Sequence, residues 1–128
     1  MRKLIPGLVV VLGLTGCTPP SLPSSVEYDM TVKSVEFPAQ AQPTAPLDVV
    51  VEVEVGGCNT FKRLELVSRT SSQLKLRAVG TRPEGQNVVC PANLGWQKVT
   101  YTDPGTPPRT NPFEVVVNGT SWGTVAIR

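Results

Sequence analysis

From Val26 onward, apolar and polar residues alternate with a period of two. Tyr28, Met30 and Val32 interleave with Asp29, Thr31 and Lys33, the pattern of a strand with one buried face. Phe37 follows, and then a loop over 38–46 that holds Pro38, Pro43 and Pro46. The clearest strand comes next. Leu47, Val49, Val51, Val53 and Val55 fall on one face and Asp48, Glu52 and Glu54 on the other, with Val50 as the exception. Gly56-Gly57 ends it. A third strand is predicted over 60–68 with Leu64 and Leu66 inward. A fourth covers 73–79, with Leu74, Leu76 and Ala78 inward and Lys75 and Arg77 outward. A turn-rich loop at 81–87 leads to a short segment, 88–90, that stops at Pro91. A strand over 96–102 runs into a stiff, proline-rich loop at 103–112. The last two strands, 113–117 and 120–127, face each other across Asn118-Gly119. Both residues of that dipeptide tolerate the positive φ of a two-residue hairpin turn.

No stretch keeps a helical period over ten residues. Seven or eight short strands with Pro/Gly-rich turns predict an all-β domain over 26–128, an antiparallel β-sandwich. A small open barrel is the alternative. In pattern the domain resembles an immunoglobulin-like or fibronectin-like sandwich in the loose sense. It departs from the antibody type because Cys58 lies beyond its strand and no tryptophan follows on the next one.

The first residues follow a different pattern. Met1-Arg2-Lys3 is a short basic stretch, and Leu4 to Leu14 is an apolar run of secretory length. That run is well short of the roughly 20 residues a membrane-spanning helix needs. Leu14-Thr15-Gly16-Cys17 comes next and resembles the lipobox of bacterial lipoproteins. The resemblance covers residues 1 to about 20 and implies cleavage between Gly16 and Cys17. It also implies a diacylglyceryl group on the Cys17 thiol, so that the membrane is a partner through that lipid. Two or more acyl chains hold a protein firmly where one does not. Residues 17–25 then form the lipidated cysteine and its tether. At about 3.1 Å per residue, the Pro/Ser-rich stretch 18–25 spans roughly 25 Å. Thr18 stands where some diderm bacteria place the aspartate that retains a lipoprotein in the inner membrane. That favours the outer membrane if the cell has one.

Removing the signal changes the composition. Cleavage takes 16 of the 128 residues and leaves 112, the size of one small domain. The net charge of +2 comes from Arg2 and Lys3, so ten bases and ten acids remain. No net positive charge is left to support nucleic-acid binding. With Cys17 lipidated, Cys58 and Cys90 remain as a pair in an oxidising compartment, where a disulfide is the default. Closing the 31 residues between them stabilises the fold by roughly 3–4 kcal/mol in the chain-entropy picture. Two thiols and no histidine fall short of a four-ligand zinc shell, and neither a metal nor a cofactor is expected.

Charge is segregated along the chain. Glu27, Asp29, Glu36, Asp48, Glu52 and Glu54 precede Lys62, Arg63, Arg69, Lys75, Arg77 and Arg82. Cross-strand pairing within one sheet accounts for this, with Glu52 facing Arg77 and Glu54 facing Lys75 if 47–55 lies beside 73–79. A bipolar docking surface is the functional alternative.

Catalytic motifs are absent or out of context. Without histidine there is no Ser-His-Asp or Cys-His machinery. Ser72-Gln73-Leu74-Lys75 matches S-x-x-K, but that chemistry needs a helix and partner motifs. Asn118-Gly119-Thr120 is accounted for by the hairpin rather than by glycosylation. Trp96, Tyr101 and Trp122 are the candidate ligand-binding residues, as a stacking platform for sugar or peptide, with core filling as the alternative. The sequence thus predicts a lipid-anchored, non-enzymatic binding or structural module of the cell envelope. A possible envelope protein or glycan would meet its loops at 38–46, 81–87 and 103–112. The alternatives are a carbohydrate- or peptide-binding domain using exposed aromatics, a small hydrolase, or a hydrolase inhibitor. Two converging carboxylates in an open groove would favour the hydrolase, and one rigid, protruding loop the inhibitor.

Overall fold

The period-two stretches fold into β1 Ser25–Asp29, β2 Val32–Glu36, β3 Gln40–Ala41, β4 Leu47–Gly56, β5 Thr60–Arg69, β6 Gln73–Pro83, β7 Leu94–Asp103, β8 Phe113–Val117 and β9 Thr120–Ile127. The structure is a computed structural model that describes residues 24–85 and 89–128. The expected signal peptide, the expected lipobox with Cys17 and most of the expected tether lie outside the described residues. Two sheets face each other. One is β2-β4-β7, and the other is six-stranded, with β5 and β3 at its edges. Side chains from both meet in one core. Leu47, Val49, Val51 and Val53 of β4 pack with Leu74, Leu76 and Ala78 of β6 and with Phe113, Val115 and Val117 of β8. Each fully buried Val, Leu or Phe stabilises the fold by about 1.5–3 kcal/mol. This is the sandwich architecture the alternation implied, all β among the described residues.

Its connectivity differs from a purely antiparallel arrangement. Two pairings are parallel, β3 with β9 and β6 with β8. The second of these shares its flank of β6 with an antiparallel strand. Strand β6 is long, and two short strands lie end to end along one side of it. Strand β8 pairs with Gln73–Leu76 and β1 with Val79–Pro83. Asn118 sits where they meet. Its amide donates to Leu76 O at 3.0 Å. Its side-chain Oδ1 accepts from Ala78 N at 2.8 Å, and its Nδ2 donates to Met30 O at 2.8 Å. The flank of β6 therefore keeps its hydrogen bonds across the break. Asn118 and Gly119 have φ of 50° and 78°, the tight turn expected between β8 and β9.

Other expectations are corrected. The alternation from Val26 to Lys33 is not one strand. The chain crosses from the six-stranded sheet to the smaller one at Met30-Thr31, and Met30 is buried at the crossing. Gly80 makes room for it, because a Cβ there would stand 2.8 Å from Met30 Cγ. The loop at 38–46 contains the short strand β3. Val89 and Cys90 are outside any strand, and Val88 lies outside the described residues. Leu64 packs against the core, but Leu66 is 46% exposed. It belongs to an edge strand whose register shifts on either side of it, between Phe61 and Arg63 and between Leu66 and Ser68. Such irregularities also blunt an edge against pairing with other chains.

The proposed pairing of 47–55 with 73–79 does not form. Strand β4 lies between β2 and β7, in the sheet opposite β6. The segregated charges still meet within one sheet, through β1, β6 and β5. Arg77 bonds Asp29, and Arg63 and Lys62 both reach Glu27 at 2.8 Å. Hydrogen bonds from Arg63 and Lys62 pull the Glu27 carboxyl down to about 2. Glu52 pairs with Lys33 and accepts a hydrogen bond from Ser34 instead.

Candidate functional site

Strand register divides the loops between two ends of the sandwich. At the entry end, Ser24 arrives beside Glu84, and Ser25 pairs with Pro83. The β4–β5 turn lies at this end, because Thr60 pairs with Thr81 and Gly56 with Leu94. Cys58 in that turn is disulfide-bonded to Cys90, with Cα atoms 5.2 Å apart. Gly56 and Gly57 have φ of 112° and 63°, and a Cβ on Gly56 would stand 2.3 Å from Asn93 O. The Gly57 amide donates to that carbonyl at 3.1 Å. Glycine at these positions lets the turn lie against the 89–94 segment, and the disulfide fixes it there.

At the far end, the 103–112 loop packs against the 42–46 segment and the β5–β6 turn. A buried charge cluster holds them together. Asp103 is 0% exposed and Arg109 is 3% exposed. Arg69 Nε donates to Asp103 Oδ1 at 2.7 Å and its Nη2 to Oδ2 at 3.0 Å. Arg109 Nε and Nη2 donate to Asp103 Oδ2 at 3.0 and 2.7 Å. Two guanidinium groups on one carboxylate leave an excess positive charge. Carbonyl oxygens of Thr70, Pro107, Gln42 and Asp103 accept further N–H bonds. The Phe113 ring centroid lies 4.8 Å from Arg69 Cζ and 5.6 Å from Arg109 Cζ, so its π system offsets more of that charge. Burial pushes the Asp103 carboxyl up, but the hydrogen bonds and charges of Arg69 and Arg109 outweigh it and hold the group below its ordinary value.

The backbone completes the clamp. Arg109 N donates to Pro43 O at 2.9 Å and Thr110 N to Ser71 O at 2.8 Å. Gly105, with φ of 85°, lies so close to Thr44 that a Cβ would stand 2.5 Å from its carbonyl. The exposed side chains of the loop, from Pro104 and Thr106 to Pro108 and Thr110, therefore ride on a fixed backbone. Sequence reasoning missed this cluster. In the sequence Arg69 is one of a run of bases, and Asp103 and Arg109 are charges of a proline-rich loop. No local spacing links the three, because Arg69 and Asp103 meet only through the tertiary fold.

The three candidate aromatics do not converge. Trp96 and Tyr101 stand on β7 at positions of opposite parity and so point to opposite faces. Trp96 is 45% exposed on the outer face, with Lys33 Nζ 5.1 Å from its ring. Tyr101 packs against the core, and burial pushes its hydroxyl up. Trp122 also packs against the core, at the register shift between β8 and β9, and its buried indole N–H finds no acceptor among the described residues. The 81–87 loop lies at the entry end, opposite the other two expected contact loops. Its first residues, Thr81 to Pro83, belong to β6, and 86–87 fall outside the described residues.

A shallow groove of about 450 Å³ crosses the outer face of the larger sheet, between Val67, Lys75, Val116 and Ser121. It holds one carboxylate, Glu114. Gln73 and Ser121 donate to its two oxygens at 2.5 and 2.9 Å, and these bonds hold it below its ordinary value. A stably ionised, fully bonded carboxylate is a poor general acid. Ser72 and Lys75 of the S-x-x-K match lie in the turn before β6 and on that strand, not on a helix. No helix among the described residues is long and apolar enough to cross a membrane. No protein-family model, curated protein or solved structure matches this chain.

Proposed function

We propose that this protein is a lipid-anchored lipoprotein of the cell envelope, and that it acts there as a non-enzymatic binding or structural module. Cys17 carries the lipid, and the sandwich, immunoglobulin-like in the loose sense, presents its far-end loops to a protein or glycan of the envelope. The observation that supports this reading best is the opposition of the two ends. The chain enters beside Glu84, while the loops pinned by Asp103 and Arg109 lie at the other end. An anchor before residue 24 therefore leaves the prearranged loops directed away from the membrane. Binding residues on loops held by a rigid scaffold need little ordering on contact. A hydrolase inhibitor is the second reading, favoured by the fixed, proline-rich backbone of 103–112.

Intact mass of protein extracted from membranes tests the anchor. The expected species begins at Cys17, carries a diacylglyceryl group and has Cys58 and Cys90 oxidised. A chain that keeps Met1, or has three free thiols, overturns the reading. A pull-down from envelope extract tests the loops. Replacing Thr106 and Pro108 with aspartate is expected to abolish capture of the partner, while replacements in the outer groove leave it intact.

A further inference from the structure

The entry end carries apolar side chains that the fold leaves uncovered. The exposed large hydrophobic residues among those described are Leu66, Val67, Val89, Leu94 and Trp96. The last three gather at this end, with exposures of 94%, 62% and 45%. Leu94 stands opposite Gly56 and Trp96 opposite Glu54, and Val89 adjoins the cysteine bridged to Cys58. The cluster is held in place, because the disulfide and the Gly57–Asn93 hydrogen bond tie its segment to the β4–β5 turn. Lys33 places an ammonium group over the Trp96 ring.

We propose that Val89, Leu94 and Trp96 rest in the headgroup–acyl boundary of the phospholipid membrane that carries Cys17. The inference depends on the anchor reading above and adds an orientation to it. The argument for lipid as the occupant is reach. Cys17 is seven residues before Ser24, and covalent geometry limits that distance to about 25 Å. Ser24 enters at the same end as the cluster. The end that cannot move far from the lipid is therefore the one with apolar side chains exposed. The residue types suit the boundary, where tryptophan places an apolar ring with a polar edge and lysine extends its charge into the headgroups. The tether then acts as slack rather than as a spacer, and the far-end loops point along the membrane normal.

The test uses the full native lipoprotein, extracted from membranes and reconstituted into phosphatidylethanolamine/phosphatidylglycerol vesicles with or without brominated acyl chains. The protein has two tryptophans, Trp96 and Trp122, and bromine quenches an indole only at contact range. Wild-type protein is expected to lose emission in brominated vesicles, and Trp96→Phe to show no such loss. Because Trp96 is exposed, that variant keeps the core intact. A lipidated protein whose emission is the same in both vesicles overturns the membrane contact and leaves the anchor standing. Protein whose mass shows no lipid on Cys17 overturns both. A blue shift that grows with protein density but ignores bromine assigns the cluster to a second copy, and likewise overturns the proposal.

Discussion

Asp103 carries more structural weight than any neighbouring residue in the sequence suggests. Its carboxylate is the one negative charge between two buried guanidinium groups. Asp103→Asn removes that charge and leaves both arginines uncompensated, so unfolding free energy is expected to fall by about 3–5 kcal/mol, read from urea denaturation at pH 7. The same residue sets an acid limit. Its folded-state pKa lies below the ordinary value, so the ionised form favours the folded state at neutral pH. That contribution is complete above the unfolded carboxylate value of about 4 and is lost as pH falls through the folded value. Wild-type stability is therefore expected to drop more steeply than that of Asp103→Asn as pH falls below about 4. Asn118 is the other residue whose role exceeds its local signal. Glycine there keeps the positive φ but removes both side-chain bonds in the middle of the sheet. Asn118→Gly is expected to cost about 2–4 kcal/mol, because the Ala78 amide and Met30 carbonyl lose their partners.

Among the elements, those with the strongest alternation were the most legible. Strand β4 and its inward Leu47, Val49, Val51 and Val53 follow from the period alone, as does β6 with Leu74, Leu76 and Ala78. The hairpin at Asn118-Gly119 follows from turn chemistry. What the pattern could not contain is which strand lies beside which. Period two states that a face is buried, not against what. For that reason the alternation is compatible with Glu52 facing Arg77, although their strands lie in opposite sheets. It also hides the crossover at Met30, because Tyr28, Met30 and Val32 keep the same alternation through it. The 103–112 loop was legible as stiff, from its prolines, but not as docked. Gly105→Ala tests the docking. With φ of 85° and Thr44 2.5 Å from the new methyl group, the loop must move. Faster hydrogen exchange is expected at the Arg109 and Thr110 amides, with stability lowered by about 1–3 kcal/mol.

On the scale of the whole molecule, the two ends are secured by different chemistry. A covalent bridge fixes the entry end, and an ionic cluster fixes the far end. Loss of one should leave the other largely in place. Replacing Cys58 and Cys90 with serine is expected to lower stability by roughly 3–4 kcal/mol. Exchange should quicken at 56–60 and 89–94, and much less at 103–112. Equal acceleration at both ends would show that they unfold as one unit. The binding residues named from the sequence fared unevenly at this scale. Trp96, Tyr101 and Trp122 are aromatic residues of suitable type, but placement on opposite faces or in the core separates them. Leu94 and Val89, which no motif marks, are the exposed apolar residues at the same end as Trp96.

The sequence alone determined the class of the fold, the turn at Asn118-Gly119 and the inward faces of β4 and β6. These depend on the neighbours of each residue along the chain, and a period of two or a positive-φ dipeptide records them directly. Only the tertiary structure decided the sheet order, the parallel pairing of β6 with β8, the Asp103–Arg69–Arg109 cluster and the two-ended arrangement of loops. Those depend on groups that lie tens of residues apart in the chain. Burial energy and hydrogen-bond satisfaction select such partners from the whole molecule, and no short stretch of sequence carries that information.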